Sequence, residues 1–179
     1  MGQVGKLDRL VNDLLDMSSL ENGKLSFELK SLQFETLLNS TVEMLRLINP
    51  GSNIIHTTAA NAMVNANAFR IEQVMINFVS NAIKYSPKDK PVEIITRITE
   101  DNRVYFAVQD HGIGIAPERQ ANVFNKFYRV PESSGYAQGL GIGLYICSQI
   151  LDIHSATYGV ESEQGKGSLF YFTLPIIDR

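Results

Sequence analysis

The sequence predicts an α/β protein, a mixed and mainly antiparallel sheet covered on one face by helices. Three observations carry this. Two stretches alternate as strands on either side of a turn signal, PVEIITRITEDNRVYFAVQD around Asp101-Asn102 and TYGVESEQGKGSLFYFTLP around Gln164–Gly167. Apolar residues at Ile71, Val74, Met75, Phe78, Val79, Ala82 and Ile83 recur at helical spacing, wide enough to bury most of one helix. Few strand pairs have a helix between them, as parallel crossovers require, so antiparallel pairing should dominate.

Taken in order, KLDRLVNDLLDMSSLENGK opens the chain with Leu7, Leu10, Leu14 and Met17 in steps of three and four, and Gly23 as its stop. The uncapped start favours the end of a longer helical hairpin or coiled coil, with Met1-Gly2 as a cloning remnant. One amphipathic helix docked on its own core is the other reading. KLSFELK then alternates as a strand, and Phe34 to Ile48 has helical spacing that ends at Asn49-Pro50-Gly51. Short strands are expected at NIIHTT and AMVNA, before the long buried helix. A glycine-rich turn follows the first hairpin, then a short helix near Pro117–Phe127, a polar stretch VPESSGYAQ, and a helix from about Gly141 to Ile153.

Composition narrows the function. The 179 residues suit one domain with a good core and room for an appendage, and 44% apolar with 20% charged content is that of a soluble globular protein. A net charge of −3 gives no general nucleic-acid or membrane surface. One cysteine, Cys147, makes no internal disulfide, and with only His56, His111 and His154 there is no convincing zinc site. No run is long and apolar enough to span a bilayer.

Four short segments suggest chemistry. Asn77, Asn81, Lys84 and Tyr85 fall at i, i+4, i+7 and i+8 of the long helix and share one stripe. DHGIGI ends a strand with Asp110, a carboxylate able to accept from an amino group such as that of adenine. Its Gly112 and Gly114 allow a tight turn and close approach of a flat ligand. Between the glycine segments, VFNKFYRV offers Phe124 and Phe127 as core anchors, with Lys126 and Arg129 able to reach phosphate. GLGIGL, Gly139 to Leu144, opens a helix whose free N–H groups and dipole suit phosphate. Its last glycine lacks the Lys-Ser/Thr of a Walker A loop, and GKGS reads as a hairpin turn. His111 reads as exposed and idle. Alone, each glycine segment is also what a plain turn or hinge looks like.

Their order is far more specific. Asn-x3-Asn-Ala-x-Lys-Tyr, Asp-x-Gly-x-Gly-Ile, Phe-x2-Phe-Tyr-Arg and Gly-x-Gly-x-Gly-Leu closely resemble the N box, first glycine box, F box and second glycine box of sensor histidine kinases. The resemblance covers about Leu7 to Pro175 and implies the two-layer sandwich of the histidine kinase and gyrase-type ATP-binding fold. Residues 1–23 then resemble the end of the dimerisation and phosphoacceptor hairpin, and 24–179 the catalytic ATP-binding domain.

By this match the domain takes ATP and Mg²⁺. Asn81 coordinates the ion with Asn77 assisting, Lys84 contacts phosphate, and Tyr85 flanks the nucleotide. Asp110 holds the adenine amine, with Gly112, Gly114 and Ile115 bordering the base. Lys126, Tyr128 and Arg129 belong to the nucleotide set, as do Gly139, Leu140, Gly141, Gly143 and Leu144 near the phosphates, and Ser168. Val130 to Gln138 form the lid. Gyrase-type, mismatch-repair and heat-shock relatives usually carry a glutamate that activates water four residues before the metal-binding asparagine. Here that residue is Asn77, so the phosphate should go to a protein rather than to water.

Two departures stand out. His154-Ser155-Ala156 replaces the usual histidine and two glycines, and Leu140 replaces a frequent threonine. No His-Glu or His-Asp followed by Leu-Arg occurs, so the acceptor histidine is missing. The expected partners are the parent kinase's hairpin and a response regulator, in a full-length homodimer, with neither nucleic acid nor membrane touched by this segment. The expected location is the cytoplasm, with a parent that can be anchored in the inner membrane. A degenerate binding module and a fold-sharing ATPase remain as alternatives.

Overall fold

The computed structural model describes Ser18 and residues 27–57, 60–130 and 140–177. The expected helical stub at 1–23, apart from Ser18, and the lid residues 131–138 lie outside the described residues. The elements run β1 (Lys30–Gln33), α1 (Phe34–Ile48), β2 (Ile54–Thr57), β3 (Met63–Ala66), α2 (Ala68–Tyr85), β4 (Val92–Ile98) and β5 (Arg103–Gln109). They continue with α3 (Pro117–Gln120), α4 (Gly143–Ile153), β6 (Thr157–Glu163) and β7 (Gly167–Pro175).

Five strands form the main sheet in the order β2-β4-β5-β7-β6. Among the described residues only its β2–β4 pair is parallel. A second, two-stranded sheet joins β1 to β3 and touches the main one through the Val64–Ile176 bridge. Strand alternation explains the layering. Val104, Phe106 and Val108 of β5 and Phe170, Phe172 and Leu174 of β7 are buried on one face, where α2 meets them. Phe78 of α2 lies 5.7 Å from Phe170 and 6.3 Å from Phe172, ring centre to ring centre. The alternate residues Tyr105 and Tyr171 stack on the other face, with Arg97 over Tyr105 at 4.3 Å. Helices therefore cover one face, as the sequence predicted.

Several local expectations shift. The strand expected at KLSFELK forms at Lys30–Gln33 instead. Phe27 and Glu28 attach to the body: Phe27 packs on His154 at 5.2 Å and the Glu28 carbonyl accepts from the Asn67 amide. The helix near Pro117–Phe127 is regular only to Gln120. Beyond it the chain makes successive three-residue turns, Asn122 to Arg119, Asn125 to Asn122 and Tyr128 to Asn125, and reaches φ +62° at Phe127. Phe127 is consequently 61% exposed rather than a core anchor, while Phe124 packs edge-on against Tyr158 and Phe170.

The missing glycines after His154 leave a real strain, since Ser155 sits at φ +53°. His154 compensates. It is buried at the end of α4, and its Nδ1–H donates to the Ile150 carbonyl at 2.7 Å. Its Nε2 accepts from the Asn67 backbone N–H at 3.0 Å, tying α4 to the start of α2. This pair of bonds admits only the neutral ring. Burial accordingly lowers its pKa below the usual histidine value, partly offset by the Ile150 bond. A histidine with a lowered folded pKa stabilises fully above its unfolded value and loses that contribution as pH falls below about 6.5. His154→Ala should cost about 2–3 kcal/mol by orphaning the Asn67 N–H and opening space beside Phe27. Chemical denaturation from pH 8 to 5 should also show a flatter stability profile for this variant than for the parent chain.

Candidate nucleotide-binding site

Helix α2 supplies the first wall. Asn67 caps it, its side chain accepting from Arg70 N–H at 3.1 Å, and Ile71, Val74, Met75, Phe78, Val79 and Ala82 bury its core face. The polar stripe runs from inside to outside: Asn77 is buried, Asn81 and Tyr85 are half-buried and Lys84 is exposed. The Lys84 ammonium lies 4.7 Å over the Tyr85 ring. Asn81 Nδ2 donates to Asn77 Oδ1 at 3.0 Å, which leaves the Asn81 carbonyl oxygen as the outward end of the pair. Asn77 is wedged against α4, where a side-chain carbon on Gly143 would fall 2.6 Å from its Nδ2. Glycine at 143 is what lets the amide pack there.

The second wall begins where β5 ends. Asp110 is only 4% exposed, and its Oδ1 accepts from Gly112 N–H at 2.8 Å. Burial raises its pKa above the ordinary carboxylate value, opposed by hydrogen bonds from the Gly112 and Ser168 backbone and by the field of His111. A buried acid with spare acceptor capacity is suited to an incoming donor. The neighbouring hairpin closes on it tightly. Asp110 N–H donates to the Ser168 carbonyl at 2.8 Å, and Gly165 N–H to the Ile113 carbonyl at 2.8 Å. Gly167, at φ +114°, passes so near that a side-chain carbon would sit 2.0 Å from the Asp110 carbonyl. Gly114, at φ +66°, abuts the Glu163 carbonyl in the same way. Ile115 and Ser168 are buried beside them.

The F-box segment and the second glycine segment meet across Gly141, at φ +71°, which faces the Tyr128 carbonyl and the Arg129 side chain. Tyr128 and Leu144 are half-buried against the core, whereas Leu140 and Arg129 are exposed. Lys126 lies 5.0 Å over the Phe127 ring. Among the described residues no side chain caps α4 at Ile142, and a helix start without a side-chain cap suits an anion. Gly139 lies outside the described residues. An open cleft of about 500 Å³ is lined by Tyr85, Ser86, Pro87, His111, Gly112, Ile113 and Gly165. Of the expected set it takes in Tyr85 and Gly112.

His111 is not idle. Its Nε2 pairs with Glu93 at 3.0 Å, and its backbone N–H donates to Ser86 Oγ at 3.1 Å, so it joins β4 and the end of α2 to the loop after Asp110. The sequence reading also missed Ser162, Gly167 and Gln120, all of which touch this loop or its hairpin. GKGS carried a signal for Gly167, since a second glycine two residues after the first marks more than a simple turn.

The comparisons agree with this geometry. The model of the family described as histidine kinase-, DNA gyrase B-, and HSP90-like ATPase matches residues 66–178. Among curated proteins the chain is similar to the signal transduction histidine-protein kinase ArlS of Staphylococcus aureus (strain USA300). The two are 29% identical over 170 residues, covering 94% of this chain and 38% of the relative, so the chain spans well under half of that kinase. Among solved structures it resembles full-length ShkA in complex with AMPPNP, with TM-score 0.82 and 28% identity, over 97% of this chain and 36% of the other. The catalytic domain of histidine kinase ThkA matches with TM-score 0.70 and 25% identity, over 84% of this chain and 97% of the other. With the buried carboxylate, the amide pair and both glycine loops in this arrangement, the chain belongs to the histidine kinase-, DNA gyrase B- and HSP90-like ATPase family, as an ATP-binding domain of the histidine kinase type.

Proposed function

We propose that this domain binds ATP with Mg²⁺ and presents the γ-phosphate to a histidine on the dimerisation hairpin of its parent kinase, for onward transfer to a response regulator. The observation that carries the reading is the Asn77–Asn81 pair. Asn77 stands where hydrolytic relatives carry a glutamate, is buried, and already accepts from Asn81. A neutral amide so engaged takes no proton from water.

The residues divide the nucleotide between them. Asp110 accepts from the adenine amine, and the loop from Gly112 to Ile115 passes close enough to border the base. The chemistry of the donor set fits Mg²⁺: the Asn81 carbonyl oxygen is a hard, uncharged ligand, and Asn77 orients it by holding its Nδ2. The ion would neutralise charge on the phosphates. Lys84 and Arg129 add positive charge, and the start of α4, with no side-chain cap among the described residues, suits a phosphate. Reactivity then comes from positioning rather than from a base. Residues 1–23 are proposed as the end of the hairpin helix, and the acceptor histidine as lying outside this chain. No helix among the described residues is long and apolar enough to cross a membrane. The parent kinase is proposed as a homodimer with this domain in the cytoplasm.

Asn81→Ala should weaken Mg-dependent ATP binding at least about tenfold while leaving the thermal transition in place, because one ligand oxygen is lost and no core is emptied. Titration calorimetry with and without Mg²⁺ checks this, and an unchanged affinity would remove Asn81 from the site. Asp110→Asn should weaken ATP by roughly tenfold or more, because the acceptor facing the adenine amine loses its charge. The parent chain should prefer ATP to GTP, and equal binding of the two would refute the assignment of Asp110.

The chain alone should release little phosphate and incorporate no acid-labile label from γ-labelled ATP. Adding the hairpin as a separate protein with its histidine should restore slow transfer, limited by docking without covalent linkage. Steady phosphate release would favour a hydrolase, absence of ATP binding a degenerate module. Labelling of His56, His111 or His154 would misplace the acceptor.

A further inference from the structure

Helix α3 is four residues long, yet its last side chain reaches across to two other segments. Gln120 Nε2 donates to the Ile115 carbonyl at 2.9 Å and to the Ser162 carbonyl at 2.8 Å. Those carbonyls belong to the loop after Asp110 and to strand β6. Ser162 closes the same gap with its hydroxyl. It accepts from Ile115 N–H at 2.8 Å, donates to the Gly167 carbonyl at 2.8 Å, and shares a 2.9 Å bond with Ser168 Oγ. Beyond Ser168 the path ends on Asp110, through the 2.8 Å bond from Asp110 N–H to the Ser168 carbonyl. Every step is a direct hydrogen bond.

We propose that Gln120 is a positioning residue of the base pocket: it pins the Asp110–Ile115 loop to the β6–β7 hairpin and so sets adenine affinity without touching the nucleotide. This rests on the reading of Asp110 as the acceptor for the adenine amine. Gln120 is only half-buried, so water can reach both carbonyls if the amide is removed, and the fold survives. What is lost is the fixed separation between loop and hairpin. Binding then has to order the loop, which lowers affinity for ligands that use it. Ligands that use only the phosphate end are spared.

The test measures the Mg²⁺ complexes of ATP and of inorganic triphosphate on the full 179-residue chain and its variants. Gln120→Met keeps length without donors, and Ser162→Ala removes the hydroxyl. Each should bind ATP about tenfold more weakly, with triphosphate unchanged and a cooperative thermal transition retained. Gln120→Glu, ionised at about pH 7.5, has no donor and sets a carboxylate against two carbonyl oxygens. It should weaken ATP at least as much as Gln120→Met, again with triphosphate unchanged. ATP binding to Gln120→Met or Gln120→Glu as tight as the parent's, or equal weakening of ATP and triphosphate, would each overturn the proposal. A parent chain with no preference for ATP over triphosphate would overturn the Asp110 reading and this inference together.

Discussion

A carboxylate held almost out of solvent at the end of a central strand constrains everything around it. Asp110 follows β5, the middle strand of the sheet, and isolation from water is costly for an acid unless donors surround it. Gly112 supplies one from its own backbone, and the β6–β7 hairpin must come within touching distance to supply the rest. That approach demands Gly167 and Gly114 in left-handed backbone, since any side chain would strike the opposing carbonyl. Gly167 faces the Asp110 carbonyl and Gly114 the Glu163 carbonyl, so both sides of the contact between loop and hairpin depend on a missing side chain.

Helix α2 solves the opposite problem. It must bury an apolar face against the sheet and still deliver polar atoms to a ligand. The stripe grades from buried Asn77 through half-buried Asn81 and Tyr85 to exposed Lys84, while Ala82 keeps the last turns on the core. Asn77 survives burial because Asn81 bonds its oxygen and Gly143 makes room for its nitrogen. The N-terminal region of α4 is thereby set against the amide pair, so the two helices and the loop after β5 converge without any cluster of charged ligands among the described residues.

Much of this was legible in the sequence because it rests on short-range periodicity. The bounds of α1, the hairpin at Asp101-Asn102 and the four site segments all follow from residues close in the chain. What escaped depends on distant partners. His154 bonds a backbone N–H 87 residues away, and nothing in HSATYG announces it. Gln120 and Ser162 are 42 residues apart. Phe127 resembled a core anchor by spacing but faces solvent, because the turns after α3 do not keep helical phase. The strand expected at KLSFELK is found at Lys30–Gln33, where β3, thirty or more residues further along the chain, supplies the pairing.

The central claim is that the buried acid and its hairpin form the base pocket. Amide chemical shifts of isotope-labelled protein during titration with adenosine, which has no phosphates, test it most directly. The account predicts the largest shifts at Gly112, Gly114 and Ser168, with the first turn of α4 nearly still. Shifts that leave Gly112 and Ser168 unmoved while clustering elsewhere would contradict it.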